Sequence, residues 1–281
     1  MINIIGLGDM GCKLADEFKK HDNYDVYKIG HDLSKTKRTR AIEKQKNVED
    51  YEKNTPPLKH FFKDLSGRGI FIVNGGEPIA LASLKVLEHT RPWSIAVVYI
   101  QPDLSSLNEE MKRAENLVFS VLQEYARSGA IAKMIIISAK KVEEAMGQVP
   151  IIGYEEIFIN YIFSSLNLIN YFEHSTPVLS VDSDAVNWSR IMTISMVSLT
   201  DSAEKPFFDL QDVRERMYFC GINEDELRND NKLLTRLKDL IDSQREGDQR
   251  TSYRVYSTTY DEPHIFCVQS STVIQKRSES T

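Results

Sequence analysis

The sequence is poor in the residues that many specialised chemistries need. It has three cysteines, Cys12, Cys220 and Cys267, odd in number and far apart. No CxxC pair occurs, which argues against a zinc ribbon, a dithiol redox motif or a disulfide-stapled scaffold and fits a reducing compartment. There is no surplus of positive charge: 35 Lys and Arg stand against 41 Asp and Glu, a formal net charge of -6. A protein that binds nucleic acid by neutralising phosphates needs a basic excess to release counterions. No nucleic-acid partner is therefore expected, and adhesion to an anionic membrane is disfavoured on the same ground. No apolar run approaches the ~20 residues of a membrane-spanning helix. The chain opens directly on an apolar strand, without the basic, hydrophobic and small-residue succession of a signal peptide. These absences lead to the expectation of a cytoplasmic protein with no membrane insertion. GxSxG, HExxH and Walker patterns are missing as well. The six histidines are scattered, so no metal site is expected.

What is present is ample apolar material, 41% of 281 residues, enough for one large domain or two small ones. Residues 2–5 form a short apolar run, followed by Gly6-Leu7-Gly8-Asp9-Met10-Gly11 and then Leu14, Ala15 and Phe18 at helical spacing. This reads as strand, glycine turn, helix. Further strands are expected at 24–29, 69–73, 94–100 and 134–138. Helices are expected from Pro78 to about residue 88, over 105–128 with Ser105 or Ser106 as cap, and over 140–146. Between them, residues 34–59 break the pattern with crowded lysines and arginines, which read as a solvated segment because four acids dilute them.

Alternating strands and helices imply a parallel sheet covered on both faces. A long apolar helix follows at about 154–172, apolar enough to be buried all round. Beyond it the order changes to a helix at 184–199, a strand at 217–220, a helix at 225–241 and strands at 253–258 and 265–270. The last two flank Asp261-Glu262-Pro263, a hairpin-type turn. The expected fold is therefore α/β: a Rossmann-like domain over 1–175, including the central helix, a small α+β domain over 176–271, and a flexible polar tail over 272–281.

Several strings, in this order, resemble the tubulin/FtsZ superfamily. Gly6-Leu7-Gly8-Asp9-Met10-Gly11 sits where that family has its first phosphate loop, and Val73-Asn74-Gly75-Gly76 where a strand enters its GGGTG-type signature. Val97-Val98-Tyr99-Ile100-Gln101-Pro102 with Met111 to Glu115 is similar to its VVTxP…MxxAE pattern. Residues 133–138 match its next strand, Ser180-Val181-Asp182-Ser183-Asp184 resembles its synergy loop, and 254–271 its final hairpin. The resemblance implies a GTP site, with magnesium, at Gly6, Gly8, Gly11, Gly75 and Gly76, and a base-binding aromatic and Asn or Asp on the central helix, here Tyr154 or Phe158 with Asn160. It also implies catalytic acids at Asp182 and Asp184 that act on the next subunit, with self-association or a related tubulin-like subunit as partner.

The pocket departs from the family. Asp9 replaces a usual glycine, Lys13 falls where an Asn contacts guanine, and the second loop is shortened to Gly75-Gly76-Glu77-Pro78. Carboxylates at Asp9 and Glu77 repel phosphate, and Pro78 removes an amide donor. The expectation is thus a tubulin-like structural or assembly protein with a degenerate GTP site. The alternatives are a divergent cytomotive GTPase, as in phage and plasmid tubulin-like proteins, and an NAD(P)-dependent oxidoreductase with Asp32 on a ribose. Asp182 or Asp184 also reads as a plain cap for the following helix.

Overall fold

The computed structural model describes residues 1–90, 93–182 and 189–277. The first strand, β1 (Ile2–Leu7), runs directly into helix α1 (Gly8–Phe18), because Gly8 takes φ +82 and turns the chain at the sheet edge. Leu14, Ala15 and Phe18 then recur on the face that packs against the sheet. Next come β2 (Tyr24–Gly30), β3 (Thr39–Ala41), the short helix α2 (Asp50–Asn54), β4 (Arg68–Asn74), α3 (Ser83–Glu88), β5 (Ser94–Gln101), α4 (Glu109–Ser128), β6 (Lys133–Ser138) and α5 (Ala139–Met146). Strands β3, β2, β1, β4, β5 and β6 lie side by side in that order, all parallel.

Helix α6 (Tyr154–Glu173) is the central element. Phe158, Ile159, Ile162, Phe163, Leu166, Ile169 and Phe172 are buried on it. It is not buried all round, as its composition suggested: Tyr171 is 60% exposed. Its first turn is tied to α1 by Lys13–Glu155 at 2.7 Å and its last to the start of β6 by Lys133–Glu173 at 3.2 Å. It therefore crosses the parallel sheet from the edge of the glycine loops to the opposite edge.

The second half contains β7 (Leu179–Val181), β8 (Ile191–Val197), β9 (Glu204–Pro206), β10 (Val213–Asn223), helices α7 (Glu224–Asn229) and α8 (Leu233–Ser243), then β11 (Arg250–Thr258) and β12 (His264–Ser271). Strand β8 joins β6 in parallel through two residue pairs, and the order continues β12, β10, β11, β7, with β9 on β8.

Two sequence expectations fail here. The helix expected at 184–199 is strand β8 where it is described. Buried Ile191, Ile194 and Val197 mimic a helical stripe, but β8 is covered on both faces and lies between β6 and β12, so its burial does not alternate simply. The hairpin expected around Asp261 does not form. Strand β10 lies between β11 and β12, parallel to the first and antiparallel to the second. Parallel neighbours need a long crossover, which α7 and α8 supply; the single helix expected at 225–241 is these two.

Smaller corrections follow from hydrogen bonds. Helix α4 is capped by the Asn108 side chain, which accepts from the Met111 amide at 2.8 Å, rather than by Ser105 or Ser106. Residues 272–277, expected to be a flexible tail, lie against α4. Gln275 is buried and its amide donates to Gln123 at 2.6 Å, while Arg277 reaches Glu115.

Candidate nucleotide site and what occupies it

Helix α1 begins without a side-chain cap, since Leu7 stands at the cap position. The first amides of a helix have no partner inside it and draw an acceptor from elsewhere. Here the acceptor is Glu77. Its carboxylate receives the Asp9 amide at 2.6 Å and the Met10 amide at 2.9 Å. The helix dipole favours negative charge at this end. Burial pushes the Glu77 carboxyl above the usual range, and the two amides work against that shift.

Glu77 is delivered by a compact turn. The Asn74 side chain accepts from the Gly76 amide at 2.9 Å, the Glu77 amide donates to the Asn74 carbonyl, and a 3-10 turn starts at Pro78. A Cβ on Gly8 would lie 2.1 Å from the Glu77 Oε2, so the space that a glycine leaves for an anion is filled by this carboxylate. At Gly75 a Cβ would meet the Tyr99 hydroxyl at 1.9 Å. Gly6 and Gly11 stand where β1, α1 and β4 approach one another, and Gly76 rests on Pro102. The structure thus gathers all five candidate glycines around the α1 N-terminus and the loop after β4.

At the neighbouring end of α6, Lys13 bonds Asp9 at 2.8 Å and Glu155 at 2.7 Å. Asp9 first and Glu155 second raise the lysine to about 12. Tyr154 stacks on Phe158 and donates its hydroxyl to Glu143. Phe158 is core. Asn160 is not brought to the glycine loops: it lines a separate cavity of about 410 Å³ with Met196, His264 and Phe266. Asp32, in a left-handed backbone conformation, pairs with Lys44 at 3.1 Å.

Asp182 lies beyond the far end of α6. It accepts from Ser180 at 2.8 Å and from Arg254 at 2.9 and 3.1 Å, and these partners, Ser180 foremost, hold its carboxyl below the usual range. The next described element is β8, so Asp182 caps no helix among the described residues. Asp184 lies outside the described residues. Among those described, no group of three or more His, Cys, Asp or Glu side chains is placed to hold a metal ion, and no helix is long and apolar enough to cross a membrane.

No protein-family model matches the chain and no curated protein matches its sequence. Solved structures do match. An empty FtsZ dimer from M. jannaschii superposes with TM-score 0.72 at 10% identity, over 100% of this chain and 93% of that one. The chain has the tubulin/FtsZ fold. A GTPγS-form TubZ protofilament from Bacillus thuringiensis serovar israelensis gives 0.67 at 13% identity over 95% and 86% of the two chains. CetZ from Methanosaeta thermophila gives 0.66 at 10% identity over 96% and 86%.

From the sequence alone Glu77 reads as a charge that repels phosphate, whereas in the fold the same carboxylate caps α1. The signal lay in two facts read separately: α1 has no capping residue of its own, and the shortened loop ends in an acid.

Proposed function

We propose that the chain is a subunit of a tubulin-like assembly that acts through subunit–subunit contacts and does not depend on GTP held at its own glycine loops. One observation carries this reading: the Glu77 carboxylate sits on the Asp9 and Met10 amides. Backbone amides at a helix N-terminus are ready-made phosphate donors. To use them, a phosphate must displace a carboxylate already bonded there and then sit between Glu77 and the Asp9 side chain. As placed, these residues do not fit a triphosphate. Self-association is supported by the company the fold keeps, which includes an FtsZ dimer and TubZ filaments. A related tubulin-like subunit is the other class of partner. In a head-to-tail arrangement Asp182 would serve a neighbour's site rather than its own.

Calorimetry with GTP, GDP and NADH in magnesium, run beside sedimentation of the same protein, tests this. The expected result is no nucleotide heat and nucleotide-independent assembly. Micromolar GTP binding with GTP-dependent pelleting would overturn it in favour of a cytomotive GTPase. NADH binding would favour the dinucleotide enzyme.

A further inference from the structure

Helix α4 hides two polar side chains on its otherwise apolar covered side. Glu115 and Gln123 are fully buried beside Val118, Phe119 and Leu122. Buried polar groups of this kind need a partner. Tyr99 serves Glu115 from the sheet side. The rest comes from residues 272–277, an extended strap that leaves the sheet after Ser271. The Gln123 side-chain amide grips the main chain of Gln275 at both groups. It accepts from the Gln275 N–H at 2.6 Å and donates to the Gln275 carbonyl at 3.3 Å. Gln275 repeats this grip outward: its own side-chain amide accepts from the Gln211 N–H at 2.6 Å and donates to the Gln211 carbonyl at 3.2 Å. Arg277 donates to Glu115 and, at 3.0 Å, to the Lys112 carbonyl. Ile274 packs on the core, while Val273 and Lys276 are exposed.

This trough reads an extended chain in two ways. Gln123 holds main-chain groups that any residue except proline offers. The Gln211 main chain then selects a glutamine side chain, and the Glu115 carboxylate selects an arginine two residues later through a charge-assisted hydrogen bond. The occupant is also separable from the sheet. Among the described residues, 272–277 pair with no strand and are held by side-chain hydrogen bonds and by Ile274. A segment held in this way opens at lower cost than the strands beneath it.

We propose that the trough on α4 is a peptide-docking site which residues 272–277 fill in cis, and that it takes in trans an extended protein segment of the same pattern: an apolar residue, a glutamine, any residue and an arginine. The strap is then an internal competitor. A tethered occupant acts at an effective concentration of the order of millimolar, so the trough stays closed to a weak partner until the strap is loosened. Docking here needs neither nucleotide nor assembly with a second copy.

Fluorescence anisotropy on the full chain, with a labelled peptide of the sequence of residues 272–277, tests this. Gln275→Ala with Arg277→Ala loosens the cis occupant and leaves Glu115, Gln123 and Gln211 in place. This double variant is expected to bind the peptide at least about tenfold more tightly than the wild type does, because the internal competitor is weakened. A scrambled peptide of the same composition should bind the variant at least about tenfold more weakly, since the trough reads order and not charge alone. Equal affinity of variant and wild type, equal affinity for the two peptides, or no binding to a variant with the wild-type circular dichroism spectrum would each overturn the proposal. Native-state hydrogen exchange on the wild type gives a second test that does not depend on the variant folding. The Gln275 amide should exchange through a local opening, at a lower free energy than the paired amides of β12. Exchange of both at one free energy would make the strap an inseparable part of the core and would also overturn the proposal.

Discussion

Arg277 places a guanidinium nitrogen 3.3 Å from the carboxylate of Glu115, a fully buried acid on α4. The Tyr99 hydroxyl donates to the same carboxylate at 2.9 Å. Burial raises the Glu115 carboxyl above its ordinary value, and Tyr99 and Arg277 pull it back. Removing one partner of a buried ion pair costs about 3–5 kcal/mol. Arg277 is partly exposed and Tyr99 remains, so Arg277→Ala should cost about 1–3 kcal/mol in urea unfolding at neutral pH. The pH dependence has a definite sign. An acid whose folded-state pKa is raised weakens the fold as pH rises through the interval from its unfolded to its folded pKa, and imposes nothing below it. Arg277→Ala raises Glu115 further, so the variant's deficit should shrink as pH falls toward 5. A deficit that is constant or grows on acidification would refute this account.

Glu77 makes a related prediction on the loop after β4, at the same edge of the sheet. Glu77→Ala leaves two helix amides without their acceptor, and loss of a cap costs about 0.5–2 kcal/mol. The amides are then open to a soluble anion. Sulfate or phosphate should raise the melting temperature of Glu77→Ala more than that of the wild type, because a ligand that binds only the native state stabilises it by an amount that grows with the logarithm of its concentration over Kd. Equal salt responses in the two proteins would mean that the carboxylate does not guard an anion site.

Gly75 and Tyr99 should be coupled. A Cβ at residue 75 would meet the Tyr99 hydroxyl at 1.9 Å and its ring carbon at 2.5 Å. Gly75→Ala must therefore push Tyr99 off Glu115, and a loss of about 2–3 kcal/mol is expected, from overpacking plus an unmade buried hydrogen bond. In a Tyr99→Phe background the hydroxyl is already gone, so Gly75→Ala should cost less there. A double-mutant cycle by denaturant unfolding reads the difference, and strict additivity would show that the two sites do not touch.

Much of the first half was legible because its chemistry is local. Strands β4, β5 and β6 carry continuous apolar runs, as fully covered parallel strands do, and β1 departs from this only at the buried Asn3 and at Gly6. The second half was less legible because its pairing is not local. Nothing in the sequence of β11 and β12 announces that β10 lies between them. Strand β8 misled for a different reason: with neighbours on both sides and cover on both faces, Ile191, Ile194 and Val197 are buried at a spacing of three, the signature of a helix. At the candidate site, the five glycines stand together where backbone or side chains come close, which is what glycine permits. Asn160 was misplaced because the sequence fixes its turn of α6 but not which cavity that turn faces. The roles of Gln275 and Arg277 were hidden for want of any periodic pattern, since a strap held by side-chain hydrogen bonds has none.

Glu204 and Arg216 form an ion pair at 2.7 Å in which both side chains are 9% exposed. Burial alone would lower the arginine's pKa, but the Glu204 carboxylate outweighs it and the net shift is upward. The pair is stitched into the sheet, with Gln249 accepting from Arg216 and Gln269 donating to Glu204. Desolvating two charges costs several kcal/mol each, so the pair itself need not stabilise the fold, yet half of it is worse than none. Arg216→Met alone should lose about 3–5 kcal/mol because Glu204 is left charged and buried. Adding Glu204→Leu removes that charge and should recover most of the loss, short of the hydrogen bond that Gln269 gives up. Chemical denaturation of the two single variants and the double variant decides it. If the double variant is less stable than Arg216→Met, the pair contributes net stability and the desolvation argument fails for this site.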